Sequence, residues 1–166
     1  HIVARIGALV TQMESETGLV RPMVIGVGTP GSVEPGTGLM KNCNTTSLNG
    51  RAMPADIAAV LGVEVRVAND ANCFALAEAT LGAARGRDVV FGVIMGSGVG
   101  GGIVVGGRML TGAQGIAGEW GHNVLEPDGR PCYCGTVGCV ETVLSGLSME
   151  RYYQEVRGES RRLPEI

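Results

Sequence analysis

Four residues between positions 122 and 139 restrict this chain more than any other feature: His122, Cys132, Cys134 and Cys139, spaced H-x9-C-x-C-x4-C. Three thiolates and one imidazole make a closed tetrahedral shell of the kind structural zinc prefers, with no position left open for a reacting water. Gly135 and Gly138 let the backbone turn tightly between the thiols. The competing reading is a group of free thiols, or one disulfide, beside an unrelated histidine. Four ligands of suitable type in so short a span favour the metal. Five cysteines form an odd set, which argues against a disulfide framework and for a reducing, cytoplasmic setting. Cys43 and Cys73 stand apart and read as core or incidental thiols.

The rest of the chain reads as alternating helices and strands, an α/β class. Ile2, Ile6, Leu9, Val10 and Met13 recur at helical spacing, and Gly18 follows as a stop. The chain opens at His1, without methionine and already inside that pattern, as an excised or processed fragment would. Residues 23–27 read as a buried strand and 32–53 as a loop. Pro54 starts a short helix to Leu61, and 64–68 alternates as a strand. An alanine-rich helix is expected over 71–81, an apolar strand over 89–95, a returning strand through 103–105, and a helix over 147–157. Residues 111–141 read as irregular.

Glycine accounts for 28 of the 166 residues, and seven consecutive positions, Gly96, Ser97, Gly98, Val99, Gly100, Gly101 and Gly102, hold five of them between two strands. A phosphate-binding P-loop or a dinucleotide fingerprint would open a helix instead. A strand–glycine–strand hairpin can still offer backbone N–H groups to phosphate oxygens, with the Ser97 hydroxyl as a further donor. A purely structural hairpin fits the same residues. Asp70 falls where a strand gives way to a helix. It reads either as a helix cap or as a general base whose ionised form the helix N-terminus favours. Glu119, His122 and Glu141 bracket the metal loop, and Asn44 and Asn69 add polar groups suited to sugar hydroxyls.

Net charge is −3, with no basic block, which disfavours nucleic acid as a partner. No apolar run reaches the roughly 20 residues of a membrane helix.

Together these motifs resemble the ROK family of sugar kinases and sugar-responsive repressors. The resemblance rests on Gly118-Glu119-Trp120-Gly121-His122, then Cys132-Tyr133-Cys134-Gly135-Thr136-Val137-Gly138-Cys139-Val140-Glu141. Asn69-Asp70-Ala71-Asn72, the 26–31 segment and the 96–102 turn match in the same order. The resemblance implies an incomplete actin/hexokinase-like ATPase fold (ribonuclease H-like), with residues 1–86 in the sugar-binding lobe and 87–166 opening the second lobe. It implies Asp70 as catalytic base and Asn44, Asn69, Glu119, His122 and Glu141 as sugar ligands. His122 would ligate zinc through one ring nitrogen and reach the sugar through the other. The 96–102 hairpin would hold the phosphates of ATP with Mg2+, and the protein would form a homodimer. The family's first phosphate loop and its adenosine-binding segment have no counterpart, so the resemblance implies a central portion of a kinase, inactive alone.

Lys41-Asn42-Cys43-Asn44, Leu48-Asn49-Gly50, Glu119-Trp120-Gly121-His122-Asn123 and Pro131 to Cys134 resemble fructokinase and mannokinase members, favouring fructose or mannose as substrate. Asn69 to Leu76 and the terminal Leu163-Pro164-Glu165-Ile166 resemble the N-acetylglucosamine kinases, the second choice. A sugar-sensing regulator of the same family is the alternative from another class.

Overall fold

The computed structural model describes residues 2–166; His1, where the helical pattern was expected to begin, lies outside them. The chain divides into two compact units. One runs through Asp70 and includes Gly112–Ile116; the other comprises Ala71–Thr111 and Ala117–Ile166. This division falls earlier than the 86/87 boundary expected from the sequence.

In the first unit, helix α1 (Ile2–Thr17) ends where Gly18 takes a left-handed conformation, φ +68°, and donates its N–H to Glu14 O at 2.9 Å. Strands β1 (Val24–Thr29) and β4 (Glu64–Asn69) pair in parallel from Val24↔Glu64 to Thr29↔Asn69. Parallel pairing demands a crossover. The crossover runs through an antiparallel pair of two-residue strands, β2 (Ser32–Val33) and β3 (Met40–Lys41), a 3-10 turn at Thr46–Leu48, and helix α2 (Met53–Leu61). Residues 32–53, expected as a loop, therefore carry short regular structure. The core gathers Met40, Cys43, Leu48, Met53, Ile57 and Leu61 under the half-buried Val3, Ile6, Val10, Ile25, Val27, Val65 and Val67. Cys43 is a buried core thiol, as expected, and that burial raises its pKa.

The second unit follows directly along helix α3 (Asp70–Thr80). Strands β5 (Val89–Met95) and β6 (Val99–Val105) form the antiparallel hairpin predicted here. Val99 to Gly102, expected within its turn, instead lie in β6 and pair with β5, leaving only 96–98 as the turn. Strand β7 (Arg108–Met109) returns on β6 through Gly106-Gly107. Val90 and Val104 are buried against Ala75 of α3, whereas Val89, Phe91, Val93 and Met95 occupy the exposed face of β5. After an irregular stretch come α4 (Glu141–Leu144) and α5 (Gly146–Arg157). The Ser145 side chain caps α5 by accepting from Ser148 N at 3.2 Å. Among the described residues, no helix is long and apolar enough to cross a membrane.

Glycine in β5 is a packing requirement. A Cβ on Gly92 would lie 2.7 Å from Ala75 Cβ and 2.9 Å from Ala75 Cα, so α3 would have to move off the sheet. Gly92→Ala should cost about 1–3 kcal/mol, the usual penalty of overpacking. Thermal melting of the chain checks this; an unchanged melting temperature would show that the sheet and helix are loosely packed.

Candidate functional site

The sequence cluster assembles in space. The ligand atoms of His122, Cys132, Cys134 and Cys139 all lie within 4.8 Å of one another. Zinc bonds of about 2.3 Å to sulfur and 2.0–2.1 Å to nitrogen imply tetrahedral edges of about 3.8 Å (S···S) and 3.6 Å (S···N). The Cys134 Sγ···Cys139 Sγ separation is 3.6 Å, and Cys132 Sγ···His122 Nδ1 is 3.5 Å. The donor set fits a tetrahedral divalent ion, with Nδ1 as the imidazole ligand.

A tight knuckle builds this geometry. Cys132 N donates to Thr136 O at 2.8 Å, Gly135 N to Cys132 O at 3.0 Å, and Gly138 N to Arg130 O at 2.8 Å. Isolated bridges Pro131↔Val137 and Val124↔Cys139 close it. Gly138 sits at φ +71°, where any Cβ would collide with Glu126 O.

The thiols respond unequally to this crowding. Hydrogen bonds from the side chain and backbone of Thr136 hold the Cys134 thiol down at about 6. Burial, and then the hydrogen bonds and charge of Cys134 and Cys132, push Cys139 up to about 12. Thiolates this close cannot all ionise unless a cation compensates them. Loss of hydration, followed by the charge of Glu141, likewise lifts the Tyr133 phenol to about 12.

The strand–glycine–strand turn and the metal loop are joined directly. Glu141 Oε2 accepts the Val99 N–H at 2.9 Å. Trp120 Nε1 donates to Gly100 O at 2.8 Å, and its ring meets Phe91 edge-on at 6.2 Å. Gly146 N donates to Gly96 O at 2.7 Å, and Glu141 N to Gly121 O at 2.9 Å. Glu119 and His122 thus flank an anchored Trp120 and both remain exposed. Of the seven hairpin residues, Ser97 is exposed near the tip, whereas Val99, Gly101 and Gly102 are buried. The Val99 amide, expected as a phosphate donor, is engaged by a carboxylate in this structure. Hydrogen bonds to charged groups contribute about 1.5–3 kcal/mol. Glu141→Ala should therefore speed hydrogen exchange at the Val99 amide about 10- to 100-fold. Unchanged protection would show that the contact does not order the hairpin.

Within the first unit, Asn69 and Asp70 stand at the C-terminal end of β4. Parallel strand ends of this kind are where α/β sheets bind ligands. Asn69 Nδ2 donates to Gly31 O at 3.0 Å, fixing the turn after β1. Cys43 Sγ donates to Pro30 O of the same turn at 3.3 Å, which places the exposed Asn44 beside it. Asp70 is the first residue of α3 and is exposed. The residues nominated from sequence therefore fall into two sets. Asn44, Asn69 and Asp70 belong to the first unit; the His122/Cys132/Cys134/Cys139 cluster, Glu119, Glu141 and the hairpin belong to the second.

Three contributors were not nominated from sequence: Trp120, Thr136 and Tyr133. Tyr133 Oη lies 3.2 Å from His122 Nε2, the nitrogen expected to face the sugar, with the two rings edge-on at 89°. Only the position of Tyr133 between two ligand cysteines hinted at this contact.

Known proteins resemble this chain in sequence and in fold. The chain is 40% identical over 152 residues to an N-acetyl-D-glucosamine kinase of Salmonella paratyphi B, covering 86% of this chain and 50% of that protein. The ROK hexokinase of Thermus thermophilus superposes with a TM-score of 0.81 at 34% identity, covering 97% of this chain and 53% of that one. A ROK family glucokinase from Streptomyces griseus, solved with glucose and AMPPNP, gives a TM-score of 0.77 at 31% identity, covering 95% and 49%. The chain thus spans about half the length of the relatives it matches. These likenesses bear out the actin/hexokinase-like α/β fold, present here in part. With the ROK family model matching residues 1–166 as well, the chain belongs to the ROK family.

Proposed function

We propose that the gene product carrying this chain is a kinase that transfers the γ-phosphoryl group of ATP to a hydroxyl of a hexose. The observation that carries this reading is the Glu141 bridge. One carboxylate ties a metal-type loop bearing Glu119 and His122 to a glycine hairpin suited to phosphate. Asp70 removes the proton from the attacking sugar hydroxyl. The sugar oxygen bonds to the γ-phosphorus, the bond from that phosphorus to the bridging oxygen breaks, and ADP leaves. Asn44, Asn69, Glu119, His122 and Glu141 hold and orient the sugar. The exposed turn at Ser97 faces the nucleotide phosphates, with the Ser97 hydroxyl as a donor. Zn2+ held by His122, Cys132, Cys134 and Cys139 orders the loop, and Mg2+ with ATP supplies charge neutralisation in such transfers.

Fructose or mannose is favoured by the 41–50, 119–123 and 131–134 motifs alone. Forty per cent identity to an N-acetyl-D-glucosamine kinase favours N-acetylglucosamine, and we place it first. The test is ADP release by the full gene product with N-acetylglucosamine, fructose, mannose and glucose in turn. Release with N-acetylglucosamine fastest supports the reading. Faster release with fructose or mannose keeps the kinase and reverses the sugar. No release with any sugar, from folded and metal-loaded protein, replaces the kinase with a sugar-sensing regulator.

A further inference from the structure

We propose that Trp120 is a positioning residue for the sugar, holding Glu119 and His122 in place by seating its indole on the stretch of β6 that Gly101 leaves bare. This rests on the sugar-binding roles proposed above for Glu119 and His122. Both of those side chains are exposed, whereas Trp120 between them is half-buried and Gly121 is buried. Two close approaches bring the segment onto β6. A Cβ on Gly101 would lie 2.9 Å from Gly118 O and equally close to Phe91 Cε2, and a Cβ on Gly118 would come 3.0 Å from Gly102 Cα. Backbone thus rests on backbone, with no side chain between. This packing also accounts for Gly101, which strand pairing withdraws from the phosphate turn.

The indole fastens the segment at two points. Its Nε1–H donates to Gly100 O at 2.8 Å, and its ring meets Phe91 edge-on at 74°, with centroids 6.2 Å apart. The hydrogen bond is directional and the ring contact opposes rotation about it, so the indole has one seat. That seat is firm, because Met95↔Val99 through Gly92↔Gly102 pair β6 in register with β5. Glu119 precedes the indole by one residue and His122 follows by two, so a shift of Trp120 is passed to both. A misplacement of about 1 Å can cost about 10²-fold. The hairpin keeps its strand pairing without the indole, so Trp120 serves sugar binding and leaves nucleotide binding alone.

The test is titration calorimetry on the full gene product, its Trp120→Phe and Glu119→Gln variants, and the double variant. Each is titrated with N-acetylglucosamine, fructose, mannose and glucose, and separately with a nonhydrolysable ATP analogue. Phenylalanine keeps an aromatic edge for Phe91 and removes the N–H donor. Trp120→Phe should weaken the tightest-binding sugar about 2- to 10-fold, the worth of one such hydrogen bond, with nucleotide affinity unchanged. In the double variant the further loss from Trp120→Phe should shrink, because both residues act on one contact. Unchanged sugar affinity in Trp120→Phe, equal losses of sugar and nucleotide affinity, or full additivity would each overturn the positioning role. Should Trp120→Phe not fold, hydrogen exchange in the parent decides. Sugar should slow exchange of the Trp120 indole N–H, since coupling between the two is reciprocal, and exchange indifferent to sugar would overturn the role. If Glu119→Gln weakens the sugar and Trp120→Phe does not, only the positioning role is lost. If Glu119→Gln also leaves sugar affinity unchanged, or the parent binds none of the four sugars, the sugar-binding reading of this loop falls with it.

Discussion

Asp70→Asn in the full gene product is expected to lower kcat by about 10²- to 10⁴-fold, the range that a general base contributes, while leaving sugar affinity nearly unchanged. Asparagine matches aspartate in size and still hydrogen-bonds hydroxyls, but it cannot accept the proton. Asp70 is the exposed first residue of α3, where a negative charge at the helix N-terminus is worth about 0.3–1 kcal/mol. Circular dichroism and thermal melting of the variant separate a folding loss from a loss of the base. Steady-state kinetics and sugar binding by calorimetry check both halves. Full kcat in the variant would remove Asp70 as the base.

Cys134→Ser should abolish stoichiometric zinc and loosen residues 119–141 together. Cys134 is exposed, so exchanging sulfur for oxygen disturbs little packing and isolates the loss of a ligand. Between 119 and 141 only Gly121, Gly138, Cys139 and Val140 are buried, too small a core to order the loop. A structural zinc ion supplies about 10–16 kcal/mol of apparent binding energy, enough to replace one. The pH dependence has a definite sign. Without a cation, Cys139 titrates near 12 and is protonated at neutral pH, so zinc uptake expels its proton. Affinity must then weaken as pH falls. Elemental analysis and amide exchange over 119–141 are the measurements. One zinc per chain with unaltered exchange would dismiss the four-ligand shell.

The spacing of His122, Cys132, Cys134 and Cys139 was legible because the ligands are local and their chemistry narrows what they can bind. The 89–105 hairpin was legible for a similar reason, as two apolar runs flanking a glycine turn. The β2–β3 pair was not legible, because two-residue strands carry no period. The packing of α3 with the strands that follow it, through Gly92 against Ala75, is a tertiary contact with no local signal. The contact of Glu141 with Val99, 42 positions away in sequence, is tertiary and leaves no local trace. That contact changes the account of the hairpin. Val99 to Gly102 belong to the strand pair, Gly96 N–H closes the turn on Gly98 O, and Glu141 holds the Val99 amide.

The most direct test of the account is sugar-dependent ADP formation by the full gene product, measured metal-loaded, chelator-stripped and zinc-restored. The account predicts turnover that needs sugar, disappears on stripping and returns with zinc. Equal turnover in the stripped protein would contradict the role given to the metal loop, and turnover indifferent to sugar would contradict the kinase itself.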